Sequence, residues 1–254
     1  MKEKAMRVKI FKFLVIFIFP LALLSQDAGQ ILTQADALFD TMSDMETAEK
    51  ALDLYRKSLN LSEDKYEPYW KIARMFYYIG EHTESNKEKK NIFSQAIYYA
   101  EKAIQLSPEQ PDGYYWRGVN NGKYGESRGV LKSLFLVKPI KSDMNKVIEL
   151  NPEYEDGGAY RVLGRVYFKL PGFAGGSNEE SLKLLEKSFE MGPEDANTRL
   201  FLGETLLAMN EIERAKEELE FVLSLDDDPC WKSDVASAKK SAEELLKDKK
   251  FQKD

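Results

Sequence analysis

The sequence predicts an all-α protein, a right-handed α-solenoid of about five antiparallel helix pairs with a C-terminal capping helix. A pattern of small and apolar residues recurs every ~34 residues, the period of a helix–turn–helix unit that cannot bury its apolar face alone and therefore stacks on its neighbours. Prolines sit just past the predicted ends of successive second helices, where they cannot continue a helix and push the preceding residue out of the helical region. A chain of 254 residues, 43% hydrophobic and 31% charged, can bury such a core, and the repeats argue for one elongated domain.

Residues 1–25 read differently. Lys2, Lys4, Arg7, Lys9 and Lys12 precede an apolar run over residues 13–24, the order of a secretory signal peptide, and Ser25 offers a small residue for cleavage. The run is shorter than the ~20 residues of a spanning helix and Pro20 interrupts it, so export is expected rather than anchoring. No cysteine follows to carry a lipid, which makes the expected mature chain soluble and periplasmic or otherwise exported. Cleavage moves the formal charge from −6 to about −10, which disfavours nucleic acid as a partner. Cys230 is the single cysteine, so no internal disulfide can form; beside Pro229 and Trp231 it is expected to be partly buried and inert.

The solenoid is expected over residues 26–230. Its clearest repeat spans 196–229, where Leu202, Gly203, Leu206, Ala215, Leu219, Val222 and Leu225 let two helices close. Earlier second helices are marked by Ala51, Tyr55, Ser58 and Leu61; by Ala96, Ala100, Ala103 and Leu106 before Pro108; by Ile140, Met144, Val147 and Leu150 before Pro152; and by Ser181, Leu185, Ser188 and Met191 before Pro193. First helices carry Ile72, Ala73 and Phe76, then Gly118, then Leu163, Gly164 and Tyr167, with small residues where helices approach. Val235, Ala238, Leu245 and Leu246, set among lysines and glutamates, predict the cap within residues 231–254.

Three repeats carry extra residues between their two helices. Residues 81–90 are charged and read as a solvated helix extension or loop. Residues 123–139 hold Val130, Leu131, Leu134, Phe135 and Val137, a cluster too apolar for a solvent-exposed connection and expected to be buried as extra core, or against an oligomer partner or ligand. Residues 170–178 read as a glycine-rich turn entering a helix at Glu179. Insertions in solenoids usually map to one face, often the binding face.

These repeat positions and closing prolines resemble the tetratricopeptide repeat (TPR) family from about Leu32 to Pro229. The run Gly129-Val130-Leu131-Lys132-Ser133-Leu134-Phe135-Leu136-Val137-Lys138-Pro139, the helix ending Leu150-Asn151-Pro152, and Leu170-Pro171 leading to Gly175-Gly176 resemble the narrower family of T-component proteins associated with TRAP transporters. That resemblance implies a periplasmic protein working beside the transporter's substrate-binding protein, with an organic acid as ligand. The chain departs from lipid-anchored members in lacking the acylated cysteine. A general periplasmic adaptor for envelope protein assembly or peptide binding is the alternative, and a homo-oligomer is left open.

Catalysis is not expected. Triads and histidine relays need an activated partner, and His82, alone in a charged insertion, reads as an exposed bystander. Gly118 and Gly122-Lys123 have the wrong spacing for a phosphate loop, with Tyr124 where Ser or Thr is required. Asp226, Asp227 and Asp228 lack the alternating ligands and glycine of a calcium loop and read as a solvated helix end. No cofactor or metal is expected.

The groove is the expected site. The phase of the first helices aims Glu67, Trp70, Arg74, Tyr77 and Tyr78 of the second repeat, Tyr115 and Val119 of the third, and Arg161, Arg165, Phe168 and Lys169 of the fourth at the concave side. Cations and aromatic rings thus concentrate on one surface of an acidic chain. Arginine forks suit a carboxylate and aromatic walls exclude water, so a carboxylate-bearing ligand with an apolar body is expected. The competing reading is that the rings pack between repeats and the arginines pair with neighbouring carboxylates.

Overall fold

The computed structural model describes residues 22–252; residues 1–21 of the expected signal peptide lie outside the described residues. Among the described residues are eleven α-helices: α1 (Ala22–Thr41), α2 (Met45–Leu61), α3 (Tyr66–Glu81), α4 (Asn86–Leu106), α5 (Pro111–Arg128), α6 (Val137–Leu150), α7 (Tyr154–Lys169), α8 (Asn178–Met191), α9 (Ala196–Ala208), α10 (Ile212–Ser224) and α11 (Val235–Leu246). Short 3-10 turns occupy Val130–Leu136, Gly172–Ala174 and Lys249–Gln252. No helix among the described residues is long and apolar enough to cross a membrane.

Consecutive helices pack as five pairs, α1 with α2 through α9 with α10, and α11 closes the array against α9 and α10. Side-chain caps fix several starts: Asp44 accepts from the Thr47 amide at 2.7 Å, and Asp195 from the Thr198 amide at 2.6 Å. Each of the last two pairs closes over a glycine. A Cβ at Gly164 would lie 2.7 Å from Leu185 Cγ, and one at Gly203 would lie 2.7 Å from Leu219 Cδ2. Ala51, Tyr55, Ala96, Ala100, Met144, Val147, Leu185, Leu219 and Val222 are all fully buried, so the predicted second-helix positions form the spine of the core.

The insertion edge departs from expectation. Helix α5 continues to Arg128, so the connection proper begins at Gly129, which turns the chain at φ 91. In the 3-10 turn that follows, Leu136 is buried and the Ser133 hydroxyl donates to Gly125 O at 2.9 Å and Gly129 O at 3.0 Å. Leu131 and Phe135 nonetheless remain 68% and 60% exposed. The apolar cluster is expected to be buried as extra core or against a partner or ligand; within this chain the three-residue period of a 3-10 turn brings Ser133 and Leu136 inward and leaves Leu131 and Phe135, on the other two sides, in water. The glycine-rich turn behaves alike: Gly175 bends it at φ 86, and Phe173 stands 82% exposed.

Candidate functional site

Helices α3, α5, α7 and α9 present one side each to the inside of the solenoid, because residues three and four apart on a helix share a face. That spacing places Tyr77, Tyr78 and Glu81 of α3, Tyr115, Val119, Lys123 and Glu126 of α5, Arg161 and Arg165 of α7, and Ala196, Asn197, Leu200 and Phe201 of α9 around a cavity of about 550 Å³. Residues Lys232, Ser233, Asp234, Val235, Ser237 and Ser241 line its remaining side.

That side is a strap. After α10 the chain crosses to the first repeats before entering α11: the Trp231 amide donates to Met42 O at 2.8 Å, Lys232 Nζ pairs with Asp40 at 2.9 Å, and Tyr78 OH donates to Lys232 O at 3.4 Å. Trp231 stacks on His82, so His82 is exposed but is not the bystander expected from sequence. Cys230 is half-buried, with Sγ 3.4 Å from Asp40 O. Asn197 donates to Asp234 at 2.6 Å, fastening the strap's other end to α9.

The wall is aromatic. Tyr77 meets Tyr78 edge-on with ring centroids 5.0 Å apart and meets Trp116 at 5.7 Å, and Tyr115 meets Trp116 at 5.2 Å. Burial pushes the Tyr115 hydroxyl up to about 12 against the opposing pull of Arg161, and burial raises Tyr77 and Tyr78 as well. These phenols stay neutral.

The charges are arranged otherwise than the sequence suggests. Arg161 lies 3.3 Å from Asp195 and within reach of Tyr115 OH, and Arg165 pairs with Glu204. Burial alone would pull the Arg161 guanidinium down, but Tyr115, Asp195 and Glu155 outweigh it and hold the group charged. Lys123 pairs with Glu81 and Glu126, which likewise overcome burial. Glu81, Glu126, Glu155, Glu194, Asp195 and Asp234 line the cavity against Lys123, Arg161, Arg165 and Lys232, so the expected excess of cations is corrected to a balanced, slightly acidic wall.

Glu155 is set apart by its backbone. Glu155, Asp156 and Gly157 adopt left-handed φ of 52, 53 and 72 inside the first turn of α7, and Glu155 faces the cavity. Burial pushes its carboxyl above the ordinary carboxylate range, with Arg74 and Arg161 pulling it down. Burial also raises Asp234 against the hydrogen bond from Asn197.

Of the residues singled out from sequence, Tyr77, Tyr78, Tyr115, Val119, Arg161 and Arg165 come together in the cavity lining, while Trp70, Arg74 and Phe168 do not. Arg74 instead lies over the rings of Phe39 at 3.7 Å and Trp70 at 4.9 Å, beside Asp36 at 3.8 Å. Phe168 lies beside Arg165. Glu67 pairs with Lys71 at 2.6 Å, and Lys169 approaches Glu204 at 3.9 Å. Trp116, Phe201, Glu155 and the strap were missed. Trp116 adjoins Tyr115 in the repeat phase and was legible; the strap has no repeat signal. Among the described residues no group of three or more histidines, cysteines or carboxylates is arranged to hold a metal.

Comparison with known proteins places this geometry. The sequence profile of the TRAP transporter T-component family matches residues 112–251, and that of the regulator of microtubule dynamics proteins 1–3 matches residues 31–173. The chain belongs to both families. It is 26% identical over 200 residues to the regulator of microtubule dynamics protein 1 of Mus musculus, an alignment covering 71% of this chain and 62% of the relative, so the chain spans under two thirds of that protein. A thermophilic TPR protein of Thermus thermophilus superposes with a TM-score of 0.62 at 16% identity, covering 84% of this chain and 98% of the other. Yeast Tom70 superposes with a TM-score of 0.54 at 16% identity, covering 92% of this chain and 45% of the other. The structural likenesses show that the chain has a TPR-type helical-repeat fold.

Proposed function

We propose that this T-component protein is an exported, non-enzymatic binding and scaffolding protein that works beside the substrate-binding protein of a TRAP transporter, with the strapped cavity as its ligand site. The observation that carries the reading is the cavity itself: about 550 Å³, walled by Tyr77, Tyr78, Tyr115 and Trp116, with Arg161 and Arg165 at one end. An apolar body fits the rings and a carboxylate fits the guanidinium forks. Asp195 and Glu204 already engage both arginines, so an incoming acid exchanges for them rather than meeting free cations, which favours modest affinity.

The test is calorimetry against apolar organic acids together with pull-down of a TRAP substrate-binding protein from the same organism. Arg161→Ala and Arg165→Ala should each weaken a bound acid by about tenfold or more. Unchanged affinity in both variants removes the arginines from the site, and no complex with the substrate-binding protein removes the transporter role. Mass spectrometry of the mature chain tests export, which requires loss of residues up to about Ser25.

A second reading, an envelope adaptor gripping peptide segments, draws support from the mixed charge of the lining, which suits an extended chain carrying both signs. Tight binding of peptides but not of small acids would favour it.

A further inference from the structure

The connections within pairs, between α3 and α4, α5 and α6, and α7 and α8, share one edge of a solenoid whose pairs stack in the same sense. On that edge the structure leaves large apolar side chains in water: Leu131, Phe135 and Phe173 are 68%, 60% and 82% exposed. Scattered exposed hydrophobics are ordinary, but the two turns that carry these lie side by side: Ala174, next to Phe173, shares a shallow hollow with Leu134, next to Phe135, and with Val137.

The charges that line the hollows on this edge are of one sign, although Glu84, Glu88, Glu179 and Glu180 stand exposed in the same connections or at the helix starts beyond them. Lys138 and Lys141 line the first hollow with Ser142 and Asn145, and a second hollow on the same edge is lined by Lys90, Arg128 and Lys132. No carboxylate lines either, in a chain of net charge −6. In the core of the array cations are paired, as Lys71 is with Asp36 and Arg117 with Asp143. Here Arg128 lies against the Tyr124 and Phe135 rings, and Lys141 over the Tyr167 ring at 3.6 Å, with no ion pair among the described residues.

We propose that this edge docks on an anionic lipid bilayer. Cations complement the headgroup charge, while protruding phenylalanine and leucine side chains enter the acyl boundary. A soluble acidic partner would satisfy the lysines but leave Phe173 and Leu131 in water, and a second copy of the chain would bring like charges together. The surface lies on the outer edge, apart from the cavity, so its failure leaves the cavity's ligand reading intact.

Co-sedimentation with vesicles tests it, using phosphatidylcholine alone and phosphatidylcholine mixed with phosphatidylglycerol. All proteins must share one N-terminus, so that the apolar leader contributes equally. The protein should partition onto the mixed vesicles, lose that binding in high salt, and bind phosphatidylcholine weakly. Phe135→Ser with Phe173→Ser, and separately Lys132→Glu with Lys138→Glu, should each lower partition by about tenfold or more with little change in melting temperature, since these side chains are exposed. Equal binding to neutral vesicles, or unchanged partition in both variants, overturns the proposal. So does a fall in the mass of the protein in solution when Phe135 and Phe173 are replaced, which assigns the edge to a second copy.

Discussion

The His82 imidazole and the Trp231 indole lie stacked, their ring centroids 3.8 Å apart and their planes within 4° of parallel. This contact joins the end of the second repeat's first helix to the strap that follows the last repeat, and so shuts the open side of the superhelix. Trp231→Ala should cost about 1 kcal/mol of stability and raise hydrogen exchange at the strap amides, the Trp231 position first. Unchanged exchange over residues 230–235 would show that the strap's other contacts, the backbone bond to Met42 and the Lys232–Asp40 pair among them, hold it without the stack.

Glu155 should make stability depend on pH. Its folded-state pKa is raised, chiefly by burial, so the native state holds the proton more tightly than the unfolded chain does. That contribution is fully present below the ordinary carboxylate value and is lost as pH rises through the raised one. Glu155→Gln removes the loss, so melting should favour the variant more at about pH 7 than at about pH 3.5. A difference that stays constant with pH would mean that Arg74 and Arg161 fully compensate the burial.

Arg117 and Asp143 form a bidentate pair at 2.9 and 2.6 Å across α5 and α6, and the Asp143 side chain is only 4% exposed. Arg117→Met strands a buried carboxylate and should cost about 3 kcal/mol, measured by denaturant unfolding. Replacing Lys50, paired with Glu46 on an open surface, should leave stability close to unchanged, because solvent screens the pair. Equal costs would show that burial does not govern the pair.

Gly203 decides between two opposite expectations. Helix propensity alone predicts that Gly203→Ala gains about 1 kcal/mol, whereas a Cβ placed 2.7 Å from Leu219 Cδ2 predicts a loss of about 1 to 3 kcal/mol. The close approach should win, because Leu219 is itself fully buried and has nowhere to retreat. A rise in melting temperature would show that α9 and α10 can separate.

The sequence by itself determined the array. Its small residues, apolar spacing and closing prolines act locally: Gly164 and Gly203 admit a second helix, and Pro108, Pro152 and Pro193 follow the ends of α4, α6 and α8. Helical phase likewise brought Tyr77, Tyr78, Tyr115, Val119, Arg161 and Arg165 to one cavity. Only the tertiary structure decided what those arginines meet, because Asp195 and Glu204 arrive from the next repeat, and only it brought Trp231 to His82 from the far end of the chain. The split of residues 131–136 between core and water was decided there too. Periodicity records which side of a helix a residue occupies; charge pairing, closure and exposure depend on what stands opposite in space, and no local pattern carries that.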